Sequence, residues 1–102
     1  MRVLALSTLR AFWAEDLQAE TPLRAWYSTL EASSPQSFSE LKETFNSVDL
    51  VPDKANSLPW HVFDIGGNKF RVICKVSYQT QYALIKYVLD HRGYDRWTEA
   101  NR

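Results

Sequence analysis

The chain has 102 residues, enough for one domain that buries roughly two thirds of its unfolded surface in a single core. Hydrophobic residues make up 45% and charged residues 24%, which excludes a disordered, collagenous or disulfide-scaffold chain. No apolar run reaches the ~18 residues of a membrane span. Cys74 is the only cysteine, so no internal disulfide forms. The apolar stretch Val3 to Leu6 is too short for a signal-peptide core, and the expected setting is the cytoplasm, with no membrane association.

Twelve Lys and Arg balance twelve Asp and Glu, which at first argues against a nucleic-acid binder. The distribution is uneven. Residues 1–59 carry five basic and eight acidic groups, whereas residues 60–102 carry seven basic and four acidic ones. An acidic first half joined to a basic second half points to an anionic partner for the second half, although a swing of this size also arises by chance.

In chain order, Val3 to Leu6 reads as a short strand. Ser7 or Thr8 then caps a helix in which Leu9, Phe12, Trp13 and Leu17 recur at helical spacing up to about Glu20. Thr21-Pro22 opens a second helix, with a capping hydroxyl and proline where its missing N–H costs nothing. Its stripe is Leu23, Trp26, Tyr27 and Leu30, and Ser33-Ser34-Pro35 ends it. A third helix begins near Ser37 or Ser39 and buries Phe38, Leu41 and Phe45. Residues 46–59 read as a loop with one extended turn around Val48 to Val51.

From Trp60 the period changes to two. Trp60 to Ile65 and Lys69 to Tyr78 flank Gly66-Gly67-Asn68, residues that tolerate positive φ, so this is a β-hairpin. Gln79-Thr80-Gln81 turns into a third strand, Tyr82 to Leu89, and His91 to Trp97 follow as a polar, aromatic terminal segment. The fold expected is a single α+β domain over residues 1–102: a small antiparallel or mixed sheet with two to three N-terminal helices packed on one face. Alternation puts Phe70, Val72, Cys74 and Val76 toward the helices, with Ala83, Ile85, Tyr87 and Leu89 from the last strand. The opposite face is expected to be open and basic. Arg71, Lys75 and Lys86 gather there, bordered by His91, Arg92, Tyr94 and Arg96, a patch suited to a phosphate backbone with bases stacking on aromatic rings.

The stretch Val62-Phe63-Asp64-Ile65-Gly66-Gly67-Asn68-Lys69-Phe70-Arg71-Val72-Ile73, followed by Ile85-Lys86-Tyr87-Val88-Leu89-Asp90-His91 and Tyr94-Asp95, resembles the HigB family of type II toxin–antitoxin toxins. The detailed match covers about the last 40 residues, and the first half agrees in layout and length. Asp90 departs from the pattern, standing where the family often has a small hydroxyl residue. The resemblance implies a RelE-like fold and an mRNA interferase that cleaves messenger RNA, generally on the translating ribosome at its small-subunit decoding region. It also implies neutralisation by a HigA-like helix-turn-helix antitoxin.

Metal-free RNA cleavage activates a 2′-hydroxyl for attack on phosphorus, stabilises the added charge and protonates the leaving 5′-oxygen. No cofactor is called for. Arg71 and Lys86 are the candidates for the phosphate clamp. His91 is the candidate acid or base, since a free imidazole titrates near pH 6.5. Tyr94 stacks on a base or donates a proton. Asn68, Lys69, Lys75, Arg92 and Arg96 are the candidate RNA contacts, although Asn68 also serves the turn. Against these stand plainer readings: Arg71 and Lys86 as solvated sheet residues, and His91 as a capping histidine. His61 beside Trp60 reads as structural, Cys74 as a buried inert thiol, and the helical aromatics as core. Two histidines and one cysteine do not make a structural zinc site. The alternative function is a noncatalytic RNA- or protein-binding module of the same fold.

Overall fold

The computed structural model describes residues 1–101. Strand β1 (Arg2–Leu4) leads into α1 (Leu6–Glu15), a 3-10 turn (Leu17–Ala19) and α2 (Glu20–Glu31). Then follow α3 (Phe38–Thr44), β2 (Asp49–Val51), β3 (Trp60–Ile65), β4 (Phe70–Ser77), β5 (Tyr82–Asp90) and α4 (His91–Ala100). The five strands form one mixed sheet in the order β1-β5-β4-β3-β2, with β1 parallel to β5 and the other pairs antiparallel. This is the expected α+β architecture, with the extended turn near Val48 realised as an edge strand.

Helix boundaries follow the caps that form. Neither Ser7 nor Thr8 caps α1: Ala5 adopts positive φ (69°), and the helix starts one residue later without a side-chain cap. The helix also stops at Glu15, short of the expected Glu20, because Asp16 is extended and its carboxylate accepts from the Gln18 N–H, starting the 3-10 turn. Leu17 therefore leaves the apolar stripe and is 77% exposed. Helix α2 begins at Glu20 rather than at the Thr21-Pro22 cap. The Ser37 hydroxyl caps α3 by accepting from the Glu40 N–H.

The N-terminal helices pack on one sheet face. Leu9, Leu23, Leu30 and Leu41 meet Phe63, Val72, Cys74, Ala83 and Ile85 in a buried core, with Trp26 and Phe45 edge-on to Phe63 at 5.2 and 5.3 Å. Burying each large side chain here contributes roughly 1.5–3 kcal/mol. His61 is buried, as its structural reading requires; its Nε2 lies 2.7 Å from the Tyr78 hydroxyl and its ring edge-on to Phe38. Burial holds its pKa down at about 4 and pushes the Cys74 thiol well above its ordinary range.

Two features correct the sequence reading, and both bear on the second face. Ile85 pairs with Cys74 while Tyr87 pairs with Ile73, so Lys86 is an extra residue at a β-bulge. The bulge shifts the alternation by one residue. Val88 therefore joins the helix-side core, whereas Leu89 packs on the opposite face and Tyr87 is 43% exposed. That opposite face is also not open: His91 to Trp97, expected as a polar, aromatic terminal segment, lie in α4 and place Tyr94 and Trp97 over Trp60, Val62, Ile73 and Leu89.

Candidate active site

The second face is built around a column of cations and rings. Asp64 and Arg71 are direct cross-strand partners in the β3–β4 ladder, and the Arg71 Nε lies 2.7 Å from the Asp64 carboxylate. The hairpin contributes as well. Gly66, Gly67 and Asn68 all take positive φ (62°, 63° and 73°), a backbone path that two glycines and an asparagine follow at low cost. It delivers the Asn68 carbonyl to Arg71 Nη1 at 2.8 Å. The Arg71 guanidinium then lies 4.9 Å from the centre of the Tyr94 ring, Tyr94 stacks on Trp97 at 6.0 Å, and Trp97 meets Trp60 edge-on at 5.8 Å. Lys75 closes the column, with its ammonium 3.9 Å from the Trp60 ring centre.

This arrangement sorts the expected basic residues into two groups. Arg71 and Lys75 are inside, with side chains only 11% and 12% exposed and each paired with a carboxylate. Lys75, expected as a free cation, instead reaches Asp53 at 2.7 Å and the Leu58 carbonyl, strapping the 52–59 loop to the sheet. The ammonium hydrogen bond holds the Asp53 carboxyl below its ordinary range. Lys69, Lys86, Arg92 and Arg96 form the outer group. All four are exposed, and none forms an ion pair among the described residues. Asn68 is exposed at the hairpin tip, where its backbone serves the turn.

His91 is the first residue of α4. Asp90 caps the helix, its carboxylate accepting from the Gly93 N–H at 2.7 Å, which gives the residue before the histidine a structural duty. The position is tight, since a Cβ on Gly93 would meet the Asp90 Oδ1 at 3.2 Å. The His91 ring is two-thirds exposed, with Nε2 3.5 Å from the Asp95 carboxylate one turn along. With Asp16, Gln18, Lys69, Phe70, Asp90 and Arg92 it lines an open cleft beside the hairpin. The cleft thus gathers an imidazole and two exposed cations with the Asp16 and Asp90 carboxylates at the start of a helix.

The structure brings Arg71 into contact with Tyr94, and His91 together with Lys69 and Arg92. Lys86 stands exposed on the bulge, and Arg96 is exposed further along α4. Asp64, quoted only as part of the hairpin, and the Asp16–Gln18 turn were not singled out as site residues from the sequence. The direct opposition of Asp64 and Arg71 across a hairpin of known turn would have exposed the first; the second joins segments distant in sequence, and no local pattern marks it. Among the described residues no three His, Cys, Asp or Glu side chains gather as a metal-ligand set, and no helix is long and apolar enough to cross a membrane.

Comparison with known proteins identifies relatives of this chain. Residues 19–97 match the family model of the HigB toxin, described as the RelE-like toxic component of a toxin–antitoxin system. The chain is 33% identical over 87 residues to the mRNA interferase toxin HigB of Escherichia coli K12, covering 83% of this chain and 79% of the relative. A protein named mRNA interferase HigB from Shigella flexneri matches to the same extent. Another of that name, from Escherichia coli O6:H1, is 25% identical over 80 residues, covering 78% of this chain and 75% of the relative. With the family model spanning most of the sequence and the α+β fold in place, the chain belongs to the HigB family of RelE-like toxins of toxin–antitoxin systems.

Proposed function

We propose that this toxin is an endoribonuclease of the mRNA interferase type, that it cuts translated messenger RNA on the ribosome in the cytoplasm, and that a HigA-like antitoxin neutralises it. One observation carries the catalytic reading: an exposed histidine at a helix start, flanked in one cleft by Lys69 and Arg92. The cations hold the scissile phosphate and offset the charge that builds on its oxygens. His91 transfers the proton, either from the attacking 2′-hydroxyl or to the departing 5′-oxygen. The Tyr94 hydroxyl makes no hydrogen bond among the described residues and is the second proton-transfer candidate. Lys86 adds positive charge from the bulge. Arg71, held by Asp64 and the hairpin, positions Tyr94 from below and contributes its field. These groups complete the reaction without a metal ion. Zero net charge suits a nuclease that works on the ribosome, where other contacts carry the affinity.

Primer extension on messenger RNA from cells briefly producing the toxin tests this reading. New in-frame 5′ ends within translated regions, absent when translation is blocked, are expected. Soluble, folded protein that produces no new ends would favour a binding module that holds RNA without cutting it.

A further inference from the structure

The cleft is lined by segments of different chemistry. Lys69, His91 and Arg92 share it with Phe70 and Asp90, and with Asp16 and Gln18 from the start of the 3-10 turn. Contacts to phosphate carry no sequence information by themselves, so discrimination between bases needs a group with directed donors and acceptors free to reach a base edge. The two carboxylates of the cleft are already occupied: Asp16 accepts from the Gln18 N–H at 3.2 Å and Asp90 from the Gly93 N–H at 2.7 Å. The Gln18 side chain is exposed, makes no hydrogen bond among the described residues, and is the one neutral amide in the lining. It offers a carbonyl acceptor and two N–H donors, the set that pairs in a bidentate fashion with a base edge. Next to it in the chain is Leu17, the most exposed large hydrophobic residue described.

The turn that carries these side chains is fixed in place. Ala19 is fully buried, its N–H bonds to the Asp16 carbonyl at 3.0 Å, and the Asp16 carboxylate holds the turn from within. A rigid turn spends little conformational entropy on contact with a ligand.

We infer that the Asp16–Gln18 turn is a base-reading wall, in which Gln18 hydrogen-bonds the edge of an unstacked nucleobase beside the phosphate held at His91, and Leu17 lies against that base. The inference rests on the RNA-cleavage reading above. Sequencing the 5′ ends produced by the wild type and by Gln18→Ala, Gln18→Glu and Leu17→Ala tests it. Base preference at one position next to the cut is expected to fall about tenfold in Gln18→Ala, with preferences elsewhere unchanged. In Gln18→Glu, which keeps acceptors and loses donors, it shifts toward bases that present an amino group. Leu17→Ala raises KM several-fold with kcat retained. Both positions are exposed, and equal thermal melting of the three variants checks that the fold is kept. An unchanged base distribution, or a uniform drop at every site, overturns the inference while leaving the nuclease reading intact. A wild type that makes no cuts overturns both.

Discussion

The two faces of the sheet are built from different materials. The helix-side face is aliphatic and aromatic, closed by three helices, and among the described residues its one buried polar side chain is a histidine kept neutral. The other face carries a small apolar cluster between two ion pairs, and a single terminal helix covers it. The first face therefore supplies most of the stability, whereas the second fixes the position of charge and of α4, whose first residue is His91. The candidate site lies where the fold is thin.

Substitutions that separate the two faces sharpen this contrast. Leu23→Ala, fully buried under the helices, removes the most stability, about 4 kcal/mol, measured by urea denaturation; the folded fraction keeps its catalytic rate. Arg71→Ala leaves Asp64 without its partner and Tyr94 without its cation. The expected cost is about 3 kcal/mol, together with a drop in kcat, whereas a KM change alone would make Arg71 a direct phosphate ligand. The neutral His61 gives the first face a pH dependence. Its folded pKa of about 4 lies below the unfolded value near 6.5, so between these values the unfolded chain binds more protons and stability falls as pH falls. The loss is about 3 kcal/mol and is complete below about pH 4. A His61→Phe variant whose denaturation midpoints run parallel to those of the wild type through this window would refute that assignment. Lys86→Ala changes stability by less than ~0.5 kcal/mol, as expected for an exposed side chain, yet weakens RNA cleavage in rate assays.

Much of the first face was legible because it is written locally. Hydrophobic spacing marked Leu9, Leu23, Leu30 and Leu41 as buried, and the Gly-Gly-Asn turn fixed the β3–β4 hairpin. The second face was legible only in part. Alternation identified Arg71 and Lys75 as sharing that face, but their partners, Asp64 and Asp53, come from other segments, and burial by a partner is a tertiary fact. The bulge at Lys86 moved Tyr87, Val88 and Leu89 to the faces opposite to those expected, a shift no period-two pattern announces. Helix α4 was hidden by its polarity, since only Tyr94 and Trp97, three residues apart, mark its apolar stripe. Asp90 followed by Gly93 was its one capping signature. Of the site, His91, Lys69 and Arg92 were named from sequence with the family resemblance, while their shared cleft emerged only from the fold.

The most direct test of this division of labour is the rate of RNA cleavage on programmed ribosomes by the His91→Ala variant, read beside its thermal melting. A loss of about a thousandfold, within the range of general acid–base catalysis, is expected at an unchanged melting temperature, because the His91 side chain is two-thirds exposed and supports no core. Cleavage that survives the substitution in a fully folded variant would contradict that expectation and move the chemistry elsewhere on the second face.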